Sequence, residues 1–538
     1  MTLTTMAERL ANEMMTQLST QLPPGCIERG VGTIALLKDI PIAAAAADRS
    51  VLSEASVRAL TQEGAEQTKK DPGMGSKHAR TALANQLKPS RTAHARTATI
   101  ALLEASLPAL AAKYLENWQL HLDEAEENNN SEFLGHRYTA SRIIAHLVCT
   151  GLSDRIIAST LHFLRSDAIE YSASEFIGEF SKRLQRGPKP VTVLLFLEQT
   201  FNLSRLGLSA MTAKEAREWG EQNGLTSIFP RHFHGAILVT GHAWDKWHLQ
   251  EIVTTIRSSF IDRIHAITGD EIKIARRAAV DAFEGAVSLD TQKDNHPRIA
   301  RYQLNSLTLD STDSSQPLEV ATDFYTAAER ADAQATRATL LWAALEVLFS
   351  EPGVDNVECA SYAANLTAIR QTRRLIGISM DMLKGQRGDA SYAAGAASLS
   401  AEAEYLLFID YLKAANFSGI QSDALRSIIK QAETRATRRG LVNYRDSIYL
   451  QLRHLYRQRN LAIHGGITDS PLMSSISILA EPSVAAAINQ LFSTSARTRD
   501  ELLLQSGTNA LLIERLRAEA DDKDQPSGWP LSYVDLFD

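Results

Sequence analysis

The chain contains, in its last fifth, the stretch Tyr456-Arg457-Gln458-Arg459-Asn460-Leu461-Ala462-Ile463-His464-Gly465-Gly466. Its two glycines predict the end of a helix, because the residue just past a helix end often takes a left-handed conformation that glycine adopts without strain. His464 therefore lies in the last turn, and Asn460 lies one turn earlier on the same face. Arg459 is about 140° round the helix from His464, a gap that a long guanidinium side chain can partly close.

These three residue types suit the cleavage of RNA by its own 2′-hydroxyl group. That reaction needs a base, an acid and positive charge near the phosphate. His464 can take either proton role, Arg459 supplies a permanent planar charge, and Asn460 is placed to orient the histidine. One histidine is one short of an acid–base pair, so a two-fold dimer is the natural way to supply both. A helix-capping histidine beside surface arginines remains the simpler alternative.

A basic segment leads into this helix end. Between Arg426 and Arg459 there are nine basic residues and two acidic ones, a local charge of +7 (9 − 2) in a chain whose net charge is −7. Such a surface attracts a polyanion. We predict that the RNA-binding side chains include Arg438, Arg439, Arg445, Arg453 and Arg457. The alternative is that this basic face is exposed to solvent and binds no RNA.

A carboxylate upstream requires a partner. Residues 340–349 read as the apolar end of a long helix in which Glu346 is the sole charged group. An unpaired carboxylate in the core costs several kcal/mol. Glu346 therefore either lies at the edge of its helix or meets an arginine, and the candidates are Arg453, Arg457 and Arg459.

A family resemblance rests on these residues. The pattern Arg459-Asn460-x-x-x-His464, followed by glycine, resembles the Arg-x4-His motif of the HEPN superfamily. Two upstream segments, Leu341 to Glu346 and Ile369 to Gly377, resemble helices of the Apea-like HEPN branch. The resemblance covers roughly residues 320 to 500. It implies a helical bundle that forms a homodimer through this domain, with Arg459, His464 and Asn460 as catalytic residues. We expect Glu346 and Tyr456 to support them.

The resemblance also implies a function. It predicts a metal-independent endoribonuclease that uses no cofactor and leaves a 2′,3′-cyclic phosphate, with RNA, tRNA among the candidates, as its partner. The settings typical of the family are antiphage defence by abortive infection, toxin–antitoxin pairs and RNA processing. The N-terminal region would then sense or restrain, with a phage-derived molecule as one candidate trigger. The alternative is a non-catalytic HEPN-like module that binds RNA or protein, for example in a toxin–antitoxin pair.

Composition bounds the remaining possibilities. With 538 residues, 44% hydrophobic and 22% charged, the chain is typical of a soluble protein of several domains. Cys26, Cys149 and Cys359 are far apart and lack metal-site spacing, which predicts a reducing, cytoplasmic location. Glu8 and Glu13 interrupt any signal-peptide pattern, and no apolar run near eighteen residues predicts a membrane span.

The expected fold is mainly α, with a smaller α/β or α+β module in the middle. Apolar runs predict strands at Val191 to Phe196 and Phe233 to Thr240, alternation predicts another at Arg301 to Asp310, and Trp247 to Ile267 reads as a helix. The predicted divisions are a helical N-terminal region (1–185), the α/β module (186–317), a HEPN-like helical domain (318–520) and an acidic tail (521–538). We expect aromatic residues of the tail to dock on the core.

Two weaker signals lie outside the main motif. The middle module carries His232, His234, His242 and His248, which are either metal ligands or ordinary polar residues at loop ends. Residues 141–164 have the spacing of a helix-turn-helix DNA reader, which any αα-hairpin shares. No phosphate-binding loop is found, so nucleotide hydrolysis is not predicted.

Overall fold

The computed structural model describes residues 5–18, 30–87, 93–128, 135–166, 171–200, 210–268, 272–288, 316–331, 333–350, 356–385, 388–414, 423–493, 499–521 and 530–537. Within these ranges the chain is mainly helical, with a small antiparallel sheet in its middle region. The predicted mainly α fold is confirmed.

The described N-terminal region is built of helices. They are α1 (Thr5–Leu18), α2 (Thr33–Asp48), α3 (Glu54–Lys70), α4 (Lys77–Gln86), α5 (Ala93–Asn128), α6 (His136–Cys149), α7 (Asp154–Ser166) and α8 (Ala173–Gln185). The long helix α5 packs against α2 and α8. A buried carboxylate joins these helices, because Asp71 accepts hydrogen bonds from Thr33 Oγ1 at 2.5 Å and from the Tyr114 hydroxyl at 2.7 Å. Polar pairing thus fixes how α2 and α5 pack.

One stretch of α5, Thr97–Glu127, is long and apolar enough to cross a membrane by length and composition alone. We had predicted no such run from the sequence. The helix buries Tyr114 and Trp118 completely against its neighbours. Its exposed side carries Glu104, Lys113 and Glu116, which are side chains that a lipid-facing surface avoids. Of its most apolar 18-residue window, 22% is buried inside the protein, and one such helix is weak evidence for a membrane span.

The predicted helical hairpin at 141–164 is formed by α6 and α7. Its turn is covered by the sheet module: a Cβ on Gly151 would lie 2.7 Å from Trp244 Nε1. Ser153, at the start of α7, hydrogen-bonds to the Asp245 carboxylate at 3.3 Å. In a helix-turn-helix reader this end of the second helix enters the DNA groove. Here it is packed against Asp245 and Trp244 of the sheet module, which favours the plain hairpin.

The middle module contains a sheet with helices on both sides. Its described elements are β1 (Lys189–Leu197), β2 (Ala210–Thr212), α9 (Ala213–Gln222), β3 (Gly235–Ala243), α10 (Lys246–Thr268), β4 (Ile274–Val280) and β5 (Ala286–Ser288). The strand order is β2-β3-β1-β4-β5, with every neighbouring pair antiparallel. The module is therefore α+β, since α/β folds use parallel strands.

Strand β1 is buried on both faces. Val193 and Leu195 pack on one side with residues of α10 such as Val253, whereas Leu194 and Phe196 pack on the other side with α9. Successive side chains of a strand point to opposite faces, so a central strand covered on both reads as a continuous apolar run. The predicted strands at 191–196 and 233–240 and the helix at 247–267 are confirmed. The strand predicted at 301–310 lies outside the described residues.

The C-terminal region is a helical bundle. Its described helices are α11 (Gln316–Arg330), α12 (Gln334–Phe349), α13 (Asn356–Lys384), α14 (Ala390–Ala396), α15 (Ala401–Ala414), α16 (Asp423–Arg435), α17 (Arg438–Gly465), α18 (Met473–Ser493), α19 (Arg499–Asp521) and α20 (Tyr533–Phe537). Helices α13 and α17 form its centre, and both pack against α12, α16, α18 and α19. The N-terminal and C-terminal helices share one continuous apolar core, whereas the sheet module has its own. The predicted domain limits stay a prediction.

Residues 530–537 fold back on the bundle, as expected of the tail. The rings of Tyr533 and Phe537 lie 5.9 and 5.7 Å from the ring of Tyr405. The Tyr405 hydroxyl donates to the backbone carbonyl of Leu531 at 2.8 Å. Leu531 N in turn donates to Ala436 O at 2.7 Å, immediately before α17. The tail thus braces the start of the motif helix.

A buried histidine predicts acid sensitivity. His146 lies in α6 with its ring stacked 4.1 Å from that of Tyr114. Burial, helped by the charge of Lys38, lowers the pKa of His146 to about 3. Below about pH 6.5 the unfolded chain takes up a proton that the folded chain refuses, so stability falls by up to ~1.4 kcal/mol per pH unit towards pH 3.

We expect His146→Phe to flatten the decline of the apparent Tm between pH 7 and pH 5, because phenylalanine keeps the ring contact and takes no proton. Thermal unfolding followed by circular dichroism at both pH values measures this. His78→Phe, at an exposed histidine of α4, is the control and should keep the wild-type slope. Equal slopes for all three proteins would contradict the prediction.

Candidate active site

The motif helix α17 has a defined start and end. Thr437 precedes it, and its Oγ1 accepts a hydrogen bond from Gly440 N at 3.0 Å. Gly466 ends it with φ +64°, and its N–H bonds to Leu461 O. Capping hydroxyls and left-handed glycines are the usual signals for these two ends. His464 therefore lies in the last turn, as the sequence predicted.

The guanidinium of Arg459 is the centre of the site. Its Nη1 donates to Asn460 Oδ1 at 2.9 Å and lies 3.2 Å from His464 Nε2. Its Nη2 donates to Glu346 Oε2 at 3.4 Å. The side chain thus curls round the helix end and closes the angular gap to His464 that the spacing had left open.

Glu346 meets one of its three candidate arginines. Its ion pair with Arg459 leaves both side chains 20% exposed. The sequence allowed two alternatives, a position at the edge of the helix or a pairing with an arginine. The structure shows both, because the carboxylate is close to solvent and is also paired. The pair joins α12 to the end of α17.

Asn460 plays a different part from the expected one. We predicted that it would orient His464, but its side-chain oxygen accepts from Arg459. Asn460 is buried, so it forms a fixed acceptor that directs the guanidinium. His464 is exposed and is approached by Arg459 instead.

Tyr456 supports the site through packing. Its ring centroid lies 4.9 Å from that of Trp342, which is completely buried in α12. Trp342 precedes Glu346 by one helical turn, so both lie on the same face of α12. The aromatic pair therefore sets the distance between α12 and α17 across which Glu346 reaches Arg459.

Comparisons with protein-family models, with curated proteins and with solved structures gave no match for this chain.

The site can combine a charge with a proton carrier. A guanidinium has five N–H donors. Among the described residues, the two hydrogens of Nη1 face Asn460 and His464, and one hydrogen of Nη2 faces Glu346. The N–H of Nε and the second hydrogen of Nη2 are left for an anion. Arg459 Nη1 can donate to His464 Nε2 in the tautomer that leaves this nitrogen without a hydrogen. The pair thus places a permanent positive charge beside an imidazole, a group that can carry a proton.

Arg457 is corrected by the structure. We predicted an RNA contact, but its side chain is only 2% exposed. Its Nη1 lies 2.8 Å from His454 Nδ1 and 4.0 Å from Asp39 Oδ2. Burial lowers the pKa of Arg457, although the carboxylates of Asp39 and Glu63 oppose the shift. A side chain enclosed in this way cannot reach a phosphate on the surface.

Two other predicted RNA contacts are engaged within the bundle. Arg445 donates from Nε to Asn365 Oδ1 at 2.8 Å and from Nη2 to Ser361 Oγ at 2.7 Å. Arg438 forms an ion pair with Glu519 at 3.0 Å. These arginines hold α17 against α13 and α19, so the local charge of +7 overstates the charge available to a ligand.

Arg439 and Arg453 remain the better candidates for contact with RNA. Arg439 is half exposed in a 3.5 Å ion pair with Asp521, which is itself mostly exposed. Such pairs contribute little and exchange readily. Arg453 is partly exposed, with its guanidinium 5.6 Å from the ring centroid of Tyr449.

A buried network that we did not predict from the sequence lies behind the motif. Asp39 of α2 is completely buried and accepts from Gln458 Nε2 at 3.0 Å and from Ser470 Oγ at 2.6 Å. Gln458 directly precedes Arg459. Glu346 was singled out as the sole charge of an apolar segment, whereas Asp39 lies in an apolar helix that also carries Lys38 and Asp48, so its signal was weaker.

The network continues through a second acid. His454 Nε2 lies 3.0 Å from Glu63 Oε1 of α3. Burial alone would raise the pKa of Glu63, but the charge and hydrogen bond of His454, with Arg457 nearby, outweigh it and lower that pKa. The N-terminal region is thus bonded to the inward face of the helix whose end carries Arg459 and His464.

The four histidines of the middle module are not brought together. His232 and His234 precede β3, whereas His242 lies near its other end. Eight residues of strand span roughly 26 Å. His248 of α10 instead accepts from Trp244 N at 3.2 Å. In the parts of the chain that the structure describes, no group of three or more potential metal ligands is found.

Proposed function

We propose that this protein is a metal-independent endoribonuclease of HEPN type, with Arg459 and His464 as its catalytic residues. The observation that carries the proposal is the 3.2 Å approach of Arg459 Nη1 to His464 Nε2 at an exposed helix end. A charge for phosphate and a proton carrier for a hydroxyl group thus lie side by side where RNA can reach them.

The reaction balances without a cofactor. The base takes the proton of the 2′-hydroxyl, the 2′-oxygen bonds to phosphorus, and the bond to the 5′-oxygen breaks. An acid gives a proton to that leaving oxygen, so the products are a 2′,3′-cyclic phosphate and a 5′-hydroxyl. His464 serves as base or acid, and Arg459 stabilises the negative charge that builds up on the phosphoryl oxygens.

Two copies of the chain complete the acid–base pair. Each chain contributes one His464, and a two-fold axis at the helix ends would bring a second within reach of the same phosphate. Ile463, the neighbour of His464, is 48% exposed. An apolar side chain at this position supports self-association there, so we propose a homodimer.

The setting follows from the family resemblance. We place the enzyme in the cytoplasm, in antiphage defence by abortive infection, with RNA such as tRNA as its substrate and the N-terminal region as sensor or regulator. The bonds from Asp39 and Glu63 to the motif helix support regulation, because a change in the N-terminal helices would be felt at that helix.

One observation favours the second candidate, a non-catalytic module that binds RNA or protein. Glu346 offsets the charge of Arg459, which weakens its pull on a scissile phosphate. Arg459 would form the same ion pair if its role were only to hold α17 against α12.

The deciding experiment is incubation of the purified protein with total tRNA in EDTA, followed by analysis of the fragment ends. Cleavage that leaves 2′,3′-cyclic phosphates supports the enzyme, because EDTA removes metal-dependent nucleases from consideration. Retention of intact RNA on the protein supports the binding module.

Glu346→Gln should lower the cleavage rate about fivefold, since a partly exposed ion pair is worth up to ~1 kcal/mol. Glutamine keeps the size of the side chain but loses the charge that holds Arg459. The initial rate on a single tRNA measures the effect, and Glu402→Gln, at an exposed position of α15, is the control. A faster Glu346→Gln enzyme would mean that Glu346 restrains Arg459 instead of positioning it.

A further inference from the structure

A cleft lies between the N-terminal helices and the sheet module. Its volume is about 390 Å³, which is within the range of small-molecule sites, and such sites favour domain boundaries. Its described lining comes from the α6–α7 turn, α7, the end of α8, the start of β1, the start of α10 and the segment before β5, and not from α17. The side chains that matter here are Arg183, Arg186, Lys189, Trp244, Trp247 and Phe283.

The cleft is positively charged. Among the described residues that line it there are four cations, with Lys246 the fourth, and one acid, Asp245, a net charge of +3 (4 − 1). The carboxylate of Asp245 is already used, since it accepts from Trp247 N at 2.7 Å and from His248 N at 3.0 Å. Arg186 and Lys189 are exposed at the rim. The charge is therefore suited to an anion.

Aromatic rings form another part of the lining. The guanidinium of Arg155 lies 4.2 Å from the ring centroid of Trp247, which fixes that ring in place. The turn at Gly151 lies against Trp244, where a Cβ would come within 2.7 Å of Nε1. Rings that are held in place by neighbouring groups present a preformed surface to a planar ligand.

Phe283 lies in the lining with a strained backbone. Its φ is +49°, a left-handed value that is a genuine outlier for a bulky side chain. Such strain is typical of ligand clamps and active sites, where the surroundings hold it in place. Lys189 Nζ lies 5.8 Å from the Phe283 ring centroid, so a cation and a ring are paired at the mouth of the cleft.

We propose that this cleft binds a small nucleotide, with its base on the aromatic rings and its phosphate on Arg186 and Lys189. Every base offers a planar face for stacking, and arginine and lysine are the usual ligands of phosphate. The cleft volume of about 390 Å³ is of the size of a mononucleotide. The proposal is separate from RNA cleavage, because the described lining of the cleft excludes the motif helix.

The test is isothermal titration of the full chain with AMP, adenosine and inorganic phosphate, in EDTA and without RNA. We expect AMP to bind with a dissociation constant of about 10 µM, the value that typical ligand efficiency gives for its size. Adenosine and phosphate should each bind at least tenfold more weakly, because each lacks half of the recognised chemistry. Repeating the titration with His464→Ala makes the result independent of nuclease activity.

Two variants test the assignment. The double variant Arg186→Glu/Lys189→Glu should weaken AMP at least tenfold, whereas Lys214→Glu, an exposed lysine of the same module, should not. Phe283→Gly accepts the positive φ, removes the ring and should weaken AMP about fivefold. Absent AMP binding, phosphate or adenosine binding as tightly as AMP, or unchanged AMP affinity in the double variant would each overturn the proposal.

Discussion

His464→Ala is expected to lower RNA cleavage by about 10²–10⁴-fold, the usual contribution of a general acid or base. The loss should be at the upper end if the dimer uses His464 from both copies, because a single substitution then removes base and acid together. His464 is exposed, so the variant should keep the wild-type Tm and the wild-type mass in light scattering. Cleavage of tRNA in EDTA measures the rate.

His78→Ala is the matched control, since His78 is also an exposed histidine in a helix, and it should cleave like the wild type. In cells, His464→Ala should also lose any growth arrest that the wild type causes on overexpression. A His464→Ala protein that cleaves as fast as the wild type would rule out this histidine as the proton carrier and with it the proposed mechanism.

Asp39→Ala is expected to destabilise the protein by about 3–5 kcal/mol, the cost of removing one partner of a buried charge pair. Arg457 would keep its charge in the core with the nearest carboxylate gone, and Gln458 and Ser470 would lose their acceptor. Gln458 directly precedes Arg459, so we also expect slower cleavage at temperatures where the variant remains folded.

Thermal unfolding of Asp39→Ala beside Lys38→Ala separates the buried network from a general effect on α2. Lys38 is the exposed neighbour of Asp39, and its loss should change stability by less than about 0.5 kcal/mol. Asp39→Asn should fall between the two, because the amide keeps an acceptor for Gln458. If Asp39→Ala and Lys38→Ala unfold at the same temperature, the network contributes nothing to stability.

The candidate site was predictable in part from one helix. The spacing of Arg459, Asn460 and His464 and the glycines that follow them define which residues share the helix end. The need to pair Glu346 was also a local inference, since an acid in an apolar helix requires a partner wherever the helix packs. Both predictions depended only on residues close together in the sequence: the spacing of side chains on one helix, and the apolar character of the residues around Glu346.

Predictions about exposure did worse, and Arg457 illustrates why. It lies two residues from Arg459, about 200° round the helix, and both side chains carry the same charge. Arg459 curls towards His464 at the surface, whereas Arg457 is enclosed with His454 and Asp39. The local charge of +7 counted both arginines as available to a ligand, although only Arg459 lies at the surface.

The sequence by itself determined the order of residues on the motif helix, the end of that helix at Gly466, and the apolar strand β1 of the sheet. Only the tertiary structure decided which face of the helix the N-terminal region covers. The bond between Gln458 and Asp39 joins residues 419 positions apart. Helical periodicity fixes the angles between side chains of one helix, but burial depends on segments that arrive from elsewhere in the chain.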